Sequence, residues 1–278
     1  MLTNNGFRTF VQTKCDTVLE NVLELKYLVK MHLTLALILV VLTVSSCGQN
    51  STSFKYVENP QTILKNQDNF LNYYNTYLKL SENFIAYDTA EKIITREKFL
   101  SEVSSGVYLP LRLNSNDTAK YKLYKMDNAT DGFLRSLIAN VGVLEYKYCQ
   151  MEGKPIPEFD FEDLEGNHYN DETITGKIVI LKFWFIQCVQ CVKEMPELNK
   201  IVDSYKGRND ILFISLALDK KEDLIKFFKK IKFKYSIVAD QKEYLLNNLG
   251  ITLFPTHVVI NKKGQVVKVV NSYEEMLP

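Results

Sequence analysis

The chain has 278 residues, 46% of them hydrophobic and 24% charged, and a net charge of +1 at neutral pH. That length suits two modest domains, or one domain with extensions. The composition excludes a disordered chain and a polytopic membrane protein, and the charge gives no electrostatic case for binding nucleic acid.

Residues 1–47 read as an N-terminal extension carrying a signal segment. The apolar run Leu33–Val44 (LTLALILVVLTV) is too short to cross about 30 Å of hydrocarbon, which takes about 20 residues. It fits the apolar region of a signal peptide, with Lys26 and Lys30 as a basic flank. A buried core helix is the competing reading, weakened by the polar GQNSTS (Gly48–Ser53) behind it, which reads as a tether. The stretch VSSC (Val44–Cys47) resembles the lipobox of bacterial lipoproteins, and the resemblance implies acylation of Cys47. Residues 1–30 fit this scheme poorly, and Met31 is an alternative start that would discard Cys15. An acylated protein of this kind is expected on the periplasmic side of a bacterial membrane, where disulfides persist. Cys149, Cys188 and Cys191 then remain, one close pair and one odd cysteine on a helix.

Residues 48–152 are expected to form a small helical or α+β domain; they carry no chemical motif. Asn66–Leu80 has helical spacing of aromatic residues and leucine, and Thr95 suits a helix start. VYLPLRL (Val107–Leu113) and KYKLYKM (Lys120–Met126) alternate as strands around the turn-rich NSNDT. Phe133–Met151 is the clearest helix of this half, with Cys149 in its last turn. Two prolines in GKPIPEF (Gly153–Phe159) then mark a boundary.

Residues 153–278 follow a different grammar. FDF and HYN flank the turn LEGN as a hairpin. KIVILKFWF is a near-continuous apolar run, as a strand buried on both faces requires. Cys188–Tyr205 reads as a helix kinked at Pro196, and Ile211–Leu218 as a second buried strand. Asp219–Ile231 reads as a helix with Leu224, Phe227, Phe228 and Ile231 on one face. The lysines between Lys220 and Lys234 read as its solvated side. SIVAD, a short helix around Tyr244–Leu249, and the strands HVVIN and VVKVV complete an α/β arrangement.

The C-x-x-C pair decides the chemistry. A structural zinc needs four ligands, and this half offers only His168 and His257, far apart, with no second cysteine pair. A redox pair fits better. Cys188 stands at a strand end and helix start, where free amides and the helix dipole favour a thiolate. It is expected to be the exposed, attacking sulfur, and Cys191 the buried resolving sulfur. Glu194, three residues on, is placed to take up and return the Cys191 proton; an exposed first-turn acid is the plainer alternative. No cofactor is expected beyond the redox-active disulfide itself.

The run W-x-x-x-C-x-x-C-x-x-E-x-P, formed by Trp184, Cys188, Cys191, Glu194 and Pro196, resembles the membrane-anchored thioredoxin-like thiol-disulfide oxidoreductases of the TlpA/ResA group. GKPIPEF resembles that family's opening segment, and FPTHVVIN its cis-proline loop. The resemblance implies a thioredoxin-like fold, a central mixed sheet flanked by helices, over about Gly153–Tyr273. It puts Pro255 opposite the cysteines, and Phe254, Pro255 and Trp184 where client proteins bind. The implied partners are clients with disulfides or thiols and an upstream membrane electron donor, with reduction the favoured direction. There are departures. Gln187 replaces the family's tryptophan before the first cysteine, and Val189 and Gln190 replace a proline-containing dipeptide. Lys182 stands where thioredoxin keeps a buried acid, which shifts the proton role to Glu194. Relatives continue into a last helix beyond SYEEMLP, so a truncated chain or a thinly covered sheet face is expected. Two other functions compete. A peroxiredoxin-like peroxidase would want threonine or serine where Phe185 stands, and a non-catalytic lipid-anchored binding module would keep the disulfide as structure only.

Overall fold

The computed structural model describes residues 54–276. Cys15, the signal segment Leu33–Val44 and the lipobox cysteine Cys47 lie outside them. Two α-helices open the described chain, α1 (Pro60–Ile63) and α2 (Gln67–Tyr77), capped by the side chains of Asn59 and Asn66. β1 (Phe84–Tyr87), β2 (Ile93–Ile94), α3 (Arg96–Ser104), β3 (Tyr108–Arg112), β4 (Ala119–Lys125) and the long α4 (Gly132–Met151) follow. The expected Thr95 cap is present, its hydroxyl accepting from Lys98 N. β3 and β4 pair antiparallel as their alternation implied. Of the two expectations for this segment, helical or α+β, the structure is α+β. A four-stranded sheet in the order β2-β1-β4-β3 includes a parallel β1–β4 pair.

After α4 the chain enters the hairpin β5 (Asp160–Glu162) and β6 (His168–Asn170), then α5 (Asp171–Ile174) and the central strand β7 (Ile178–Trp184). Helices α6 (Val189–Lys193) and α7 (Met195–Ser204) come next, then β8 (Ile211–Ala217), α8 (Lys221–Phe228) and β9 (Ser236–Val238). A π-helical turn spans Tyr244–Asn248, and β10 (Thr256–Ile260), β11 (Val266–Val270) and α9 (Tyr273–Met276) close the described chain. The five-stranded sheet runs β11-β10-β7-β8-β9, with β7–β8 and β8–β9 parallel and β7–β10 and β10–β11 antiparallel. This mixed sheet with helices on both faces is the thioredoxin-like α/β arrangement.

The period of two along β7 divides its side chains between the faces. Val179, Leu181 and Phe183 join one core with Tyr148 of α4, Tyr244 and Leu245. Ile180 and Trp184 face the other way, toward α7 and α8. Met276 of α9 packs on that second face with Leu198 and Ile201 of α7, so the last described turn covers part of the surface expected to be thin. The helix expected from Cys188 to Tyr205 is two helices. The break comes at Glu194, because Pro196 sits in the first turn of α7 and has no N–H to extend α6.

A separate core joins α2, α3, α4 and the four-stranded sheet, and both cores belong to one compact unit beginning at Phe54. α4 belongs to both. Its Gly142 lies so close to α3 that an added Cβ would come 2.4 Å from Ser104 N. Near its C-terminal end Glu145 is 9% exposed in an acid-rich junction. Glu275 of α9 accepts from Ser81 Oγ at 2.5 Å, and Arg96 pairs with Glu152 at 2.5 Å. Burial, with Glu275 adding repulsion, pushes the Glu145 carboxyl up to about 7.

A carboxyl raised in the folded state holds its proton more tightly there than in the unfolded chain. It therefore lowers stability as pH rises from the ordinary carboxyl value through about 7. Glutamine mimics the protonated form. In denaturant unfolding, Glu145→Gln should match wild type near pH 4 and exceed it by up to about 3 kcal/mol near pH 8. A constant difference across that range would contradict the assignment.

Candidate active site

The seven-residue strand β7, buried from Val179 on, ends at Trp184, and the chain leaves the sheet through Phe185–Gln187. Asp219 Oδ2 accepts from Ile186 N at 2.7 Å and holds this turn to the end of β8. Cys188 then caps α6, its sulfur accepting from Cys191 N at 3.2 Å. The two cysteines form a disulfide with a Cα–Cα separation of 5.2 Å. Cys188 is 9% exposed and Cys191 0%. The order matches expectation, but Cys188 is more covered than a helix-tip sulfur was expected to be, because Phe185, Ile186 and Phe254 pack around the pair.

The Phe254–Pro255 bond is cis. Phe254 is half-buried and meets Phe185 edge-on at 5.5 Å, while Pro255 is buried. Exposed Val189 and Leu253 flank this edge and leave an apolar rim beside the disulfide. Behind the loop, Asn271 Nδ2 donates to Pro255 O and Thr256 Oγ1, each at 2.9 Å, and to Tyr148 OH at 3.0 Å. Lys147, also on α4, donates to Gly250 O at the start of the same loop. Trp184, expected at the client surface, is not there. It is fully buried against Phe227, Phe228 and Phe233, because its place at the end of β7 turns it under α8. It packs beneath the site rather than on its surface.

Glu194 is 2% exposed, which removes the plainer reading of an exposed acid. Its Oε1 accepts from Lys182 Nζ, which also donates to Cys191 O at 3.0 Å. His257 Nε2 lies 3.0 Å from the same carboxylate oxygen, while His257 Nδ1 and Glu194 Oε2 have no partner. Burial alone would raise the Glu194 carboxyl, but His257 and Lys182 outweigh it and hold the group below the usual carboxylate range. Burial pushes the Lys182 ammonium down against the pull of Glu194. It also pushes His257 down, against the opposing pull of Glu194.

Sequence reasoning named Glu194 but missed its partners. Lys182 was read as displacing the proton role, whereas it is the ion pair that fixes Glu194. His257 was weighed only as a zinc ligand. The available signal was one polar residue inside each of two apolar strands, ILKFW and THVVI. Among the described residues no group of three or more His, Cys, Asp or Glu side chains could hold a metal ion. Cys149 is a half-buried free thiol on α4, away from the pair.

The AhpC/TSA family model matches residues 153–269. The thiol-disulfide oxidoreductase ResA of Geobacillus thermodenitrificans is 32% identical over 119 residues, 42% of this chain and 68% of that protein. ResA of Geobacillus kaustophilus is 30% identical over 141 residues, 48% of this chain and 80% of the other. Among solved structures, the thioredoxin domain of a thiol-disulfide oxidoreductase from Bacteroides vulgatus is 26% identical, covers 45% of this chain and 91% of that one, and has a TM-score of 0.41. A buried C-x-x-C disulfide at a strand–helix junction, a cis-proline loop packed beside it and this degree of likeness over the same residues lead to one assignment: the chain belongs to the ResA-like thiol-disulfide oxidoreductases of the AhpC/TSA-related thioredoxin family.

Proposed function

We propose that this oxidoreductase is a lipid-anchored periplasmic reductant of client disulfides, with Cys188 as attacking sulfur, Cys191 as resolving sulfur and Glu194 as the group that handles the Cys191 proton. The observation that carries the assignment of roles is the difference in access. Cys188 borders the apolar rim made by Val189, Leu253 and Phe254, whereas Cys191 lies wholly beneath it. A client segment laid along that rim, against the backbone of Phe254 and Pro255, reaches Cys188 only.

In the reducing direction the Cys188 thiolate attacks one client sulfur, the client S–S bond breaks, and the second client sulfur leaves as a thiolate and takes up a proton. Cys191 gives up its own proton, its sulfur attacks Cys188, and the first client sulfur leaves and is protonated. The client gains two electrons and the enzyme ends with the Cys188–Cys191 disulfide found in the structure. A membrane electron donor must return two electrons to that disulfide for the next turnover. The buried Cys191 thiol resists ionisation in apolar surroundings, so a base at its level, where Glu194 lies, serves the second step.

The anchor rests on the sequence alone, Leu33–Val44 followed by VSSC. Among the described residues no helix is long and apolar enough to cross a membrane, and acylation at Cys47 would supply the attachment. A reductant tethered in this way acts on clients near the membrane surface.

Two experiments test this reading. A Cys191→Ser protein should accumulate client proteins as mixed disulfides on Cys188, recoverable by non-reducing electrophoresis, and Cys188→Ser should trap far fewer. Stronger trapping by Cys188→Ser would reverse the roles, equal trapping would remove the distinction between them, and none by either would end the client reading. Separately, Cys47→Ala should abolish fatty-acid labelling and move the protein out of the membrane fraction. Labelling and fractionation that stay as in wild type would exclude the lipid anchor.

A further inference from the structure

Beneath the disulfide runs a polar row that the apolar sheet does not require. Ser215 of β8, Lys182 of β7 and His257 of β10 are register partners across the three central strands. They share the face that carries α6 and α7, and each is 0% exposed. Glu194 comes down on this row from the break between the two helices. Burying a lysine and a glutamate together gains little over well-packed apolar side chains of the same volume. Each buried polar atom left without a partner costs further stability, and Glu194 Oε2, Ser215 Oγ and His257 Nδ1 are such atoms. The row is expensive as structure, and it reaches the resolving cysteine, where Lys182 Nζ donates to Cys191 O.

We propose that Lys182 and His257 are positioning residues that, together with Glu194, form a three-membered proton store for Cys191, in which Lys182 keeps the store from ever becoming a net negative charge beside the resolving sulfur. This rests on the reading of Cys191 as the resolving thiol. Before the transfer Lys182 is +1, Glu194 −1 and His257 neutral, so the row sums to zero beside a neutral thiol. When the Cys191 S–H bond breaks, the proton passes to Glu194, which shares it with His257. The sulfur keeps the electron pair. The row is then +1 and Cys191 −1, two opposite charges formed side by side where the dielectric is low. The thiolate pair forms the bond to Cys188 as the Cys188–client bond breaks, and the stored proton goes to the departing client thiolate. Without Lys182 the thiolate would form beside a neutral row and lose that attraction.

The geometry fits. Lys182 Nζ donates to Cys191 O at 3.0 Å, and covalent geometry then keeps the ammonium within about 8 Å of the Cys191 sulfur. An attraction over that distance favours the thiolate by on the order of tenfold. His257 Nε2 stands 3.0 Å from Glu194 Oε1, and burial disfavours its charged form, which leaves the imidazole room to share the proton. The other ionisable groups facing the row are Tyr235, ahead of β9, and Tyr273 of α9, both with phenols held above their ordinary value by burial. Neither competes for the proton near neutral pH. Lys182 also lies 6.0 Å from the centre of the Phe233 ring, which fixes the ammonium from its apolar side.

Reduced full-length protein, with Cys15, Cys47 and Cys149 changed to serine to remove the other thiols, reacts with dithiobis(nitrobenzoate) in two phases. Cys188 releases the first nitrothiophenolate and Cys191 the second. In Lys182→Met the first phase should be unchanged, and the second should slow about tenfold at neutral pH, its pH midpoint moving up by about one unit. The rates should converge at alkaline pH. His257→Gln should slow the second phase also, by a smaller factor. Lys182→Met leaves a buried unpaired carboxylate, so the double variant Lys182→Met/Glu194→Gln, which leaves none, provides a folded protein if the single one fails; its second phase should be slowed at least as much. A second phase with wild-type rate and pH midpoint in Lys182→Met overturns the proposal alone, and the same result in the double variant overturns with it the proton role of Glu194. A starting protein that releases a single equivalent would overturn the dithiol reading and this proposal with it.

Discussion

The buried ion pair between Lys182 and Glu194 is the interaction on which the active site is built. Glu194 lies at the point where α6 must stop because Pro196 follows, and Lys182 lies in the middle of the central strand. By donating to both Glu194 and the Cys191 carbonyl, one ammonium ties the broken helix to the sheet at the level of the disulfide. Removing one partner of such a pair strands the other as an uncompensated buried charge, at about 3–5 kcal/mol. Replacing both partners with apolar residues would cost far less. The pair therefore adds little to stability beyond what apolar packing would give, while it sets charge beside the Cys191 backbone. His257, in the loop-bearing strand β10, joins the same oxygen from the other side.

The cis-proline loop is held from behind by residues that lie outside the thioredoxin-like part of the sequence. Tyr148 of α4 shares Asn271 with Pro255 and Thr256, and Lys147 of the same helix holds Gly250. The same helix packs through its other end into the core of residues 54–126. A segment without a chemical motif of its own therefore meets the loop that borders the reactive sulfur, through two adjacent side chains on one helix. Arg96–Glu152 and Ser81–Glu275 add polar ties at the same junction.

Much of the fold was legible because periodicity and punctuation are local. The apolar run before Cys188 reads as a strand buried on both faces, Thr95 starts a helix, and Pro196 reads as a kink where the structure has a full break. The strand Phe84–Tyr87 escapes the sequence, since four residues carry little periodic signal and its parallel partner lies beyond an intervening helix and two strands. The cysteines and Glu194 were legible from their spacing. Trp184 was placed on the wrong side of the surface, since strand alternation shows which residues share a face but not which helix closes over it. Lys182 and His257 escaped for a related reason: a lone charge in an apolar strand has meaning only through its partner, and strands β7 and β10 are brought into register by the fold, not by the chain.

The most direct test of this account is the protonation of Glu194 itself. With the glutamate carboxyls carbon-13 labelled, and Glu194 assigned by its loss in Glu194→Gln, nuclear magnetic resonance of the oxidised protein can follow that group through the acid range. Held by Lys182 and His257, it should titrate below the usual carboxylate range. A midpoint at or above the ordinary value would mean that burial wins over both partners, and that the charge beneath the disulfide belongs to Lys182 alone.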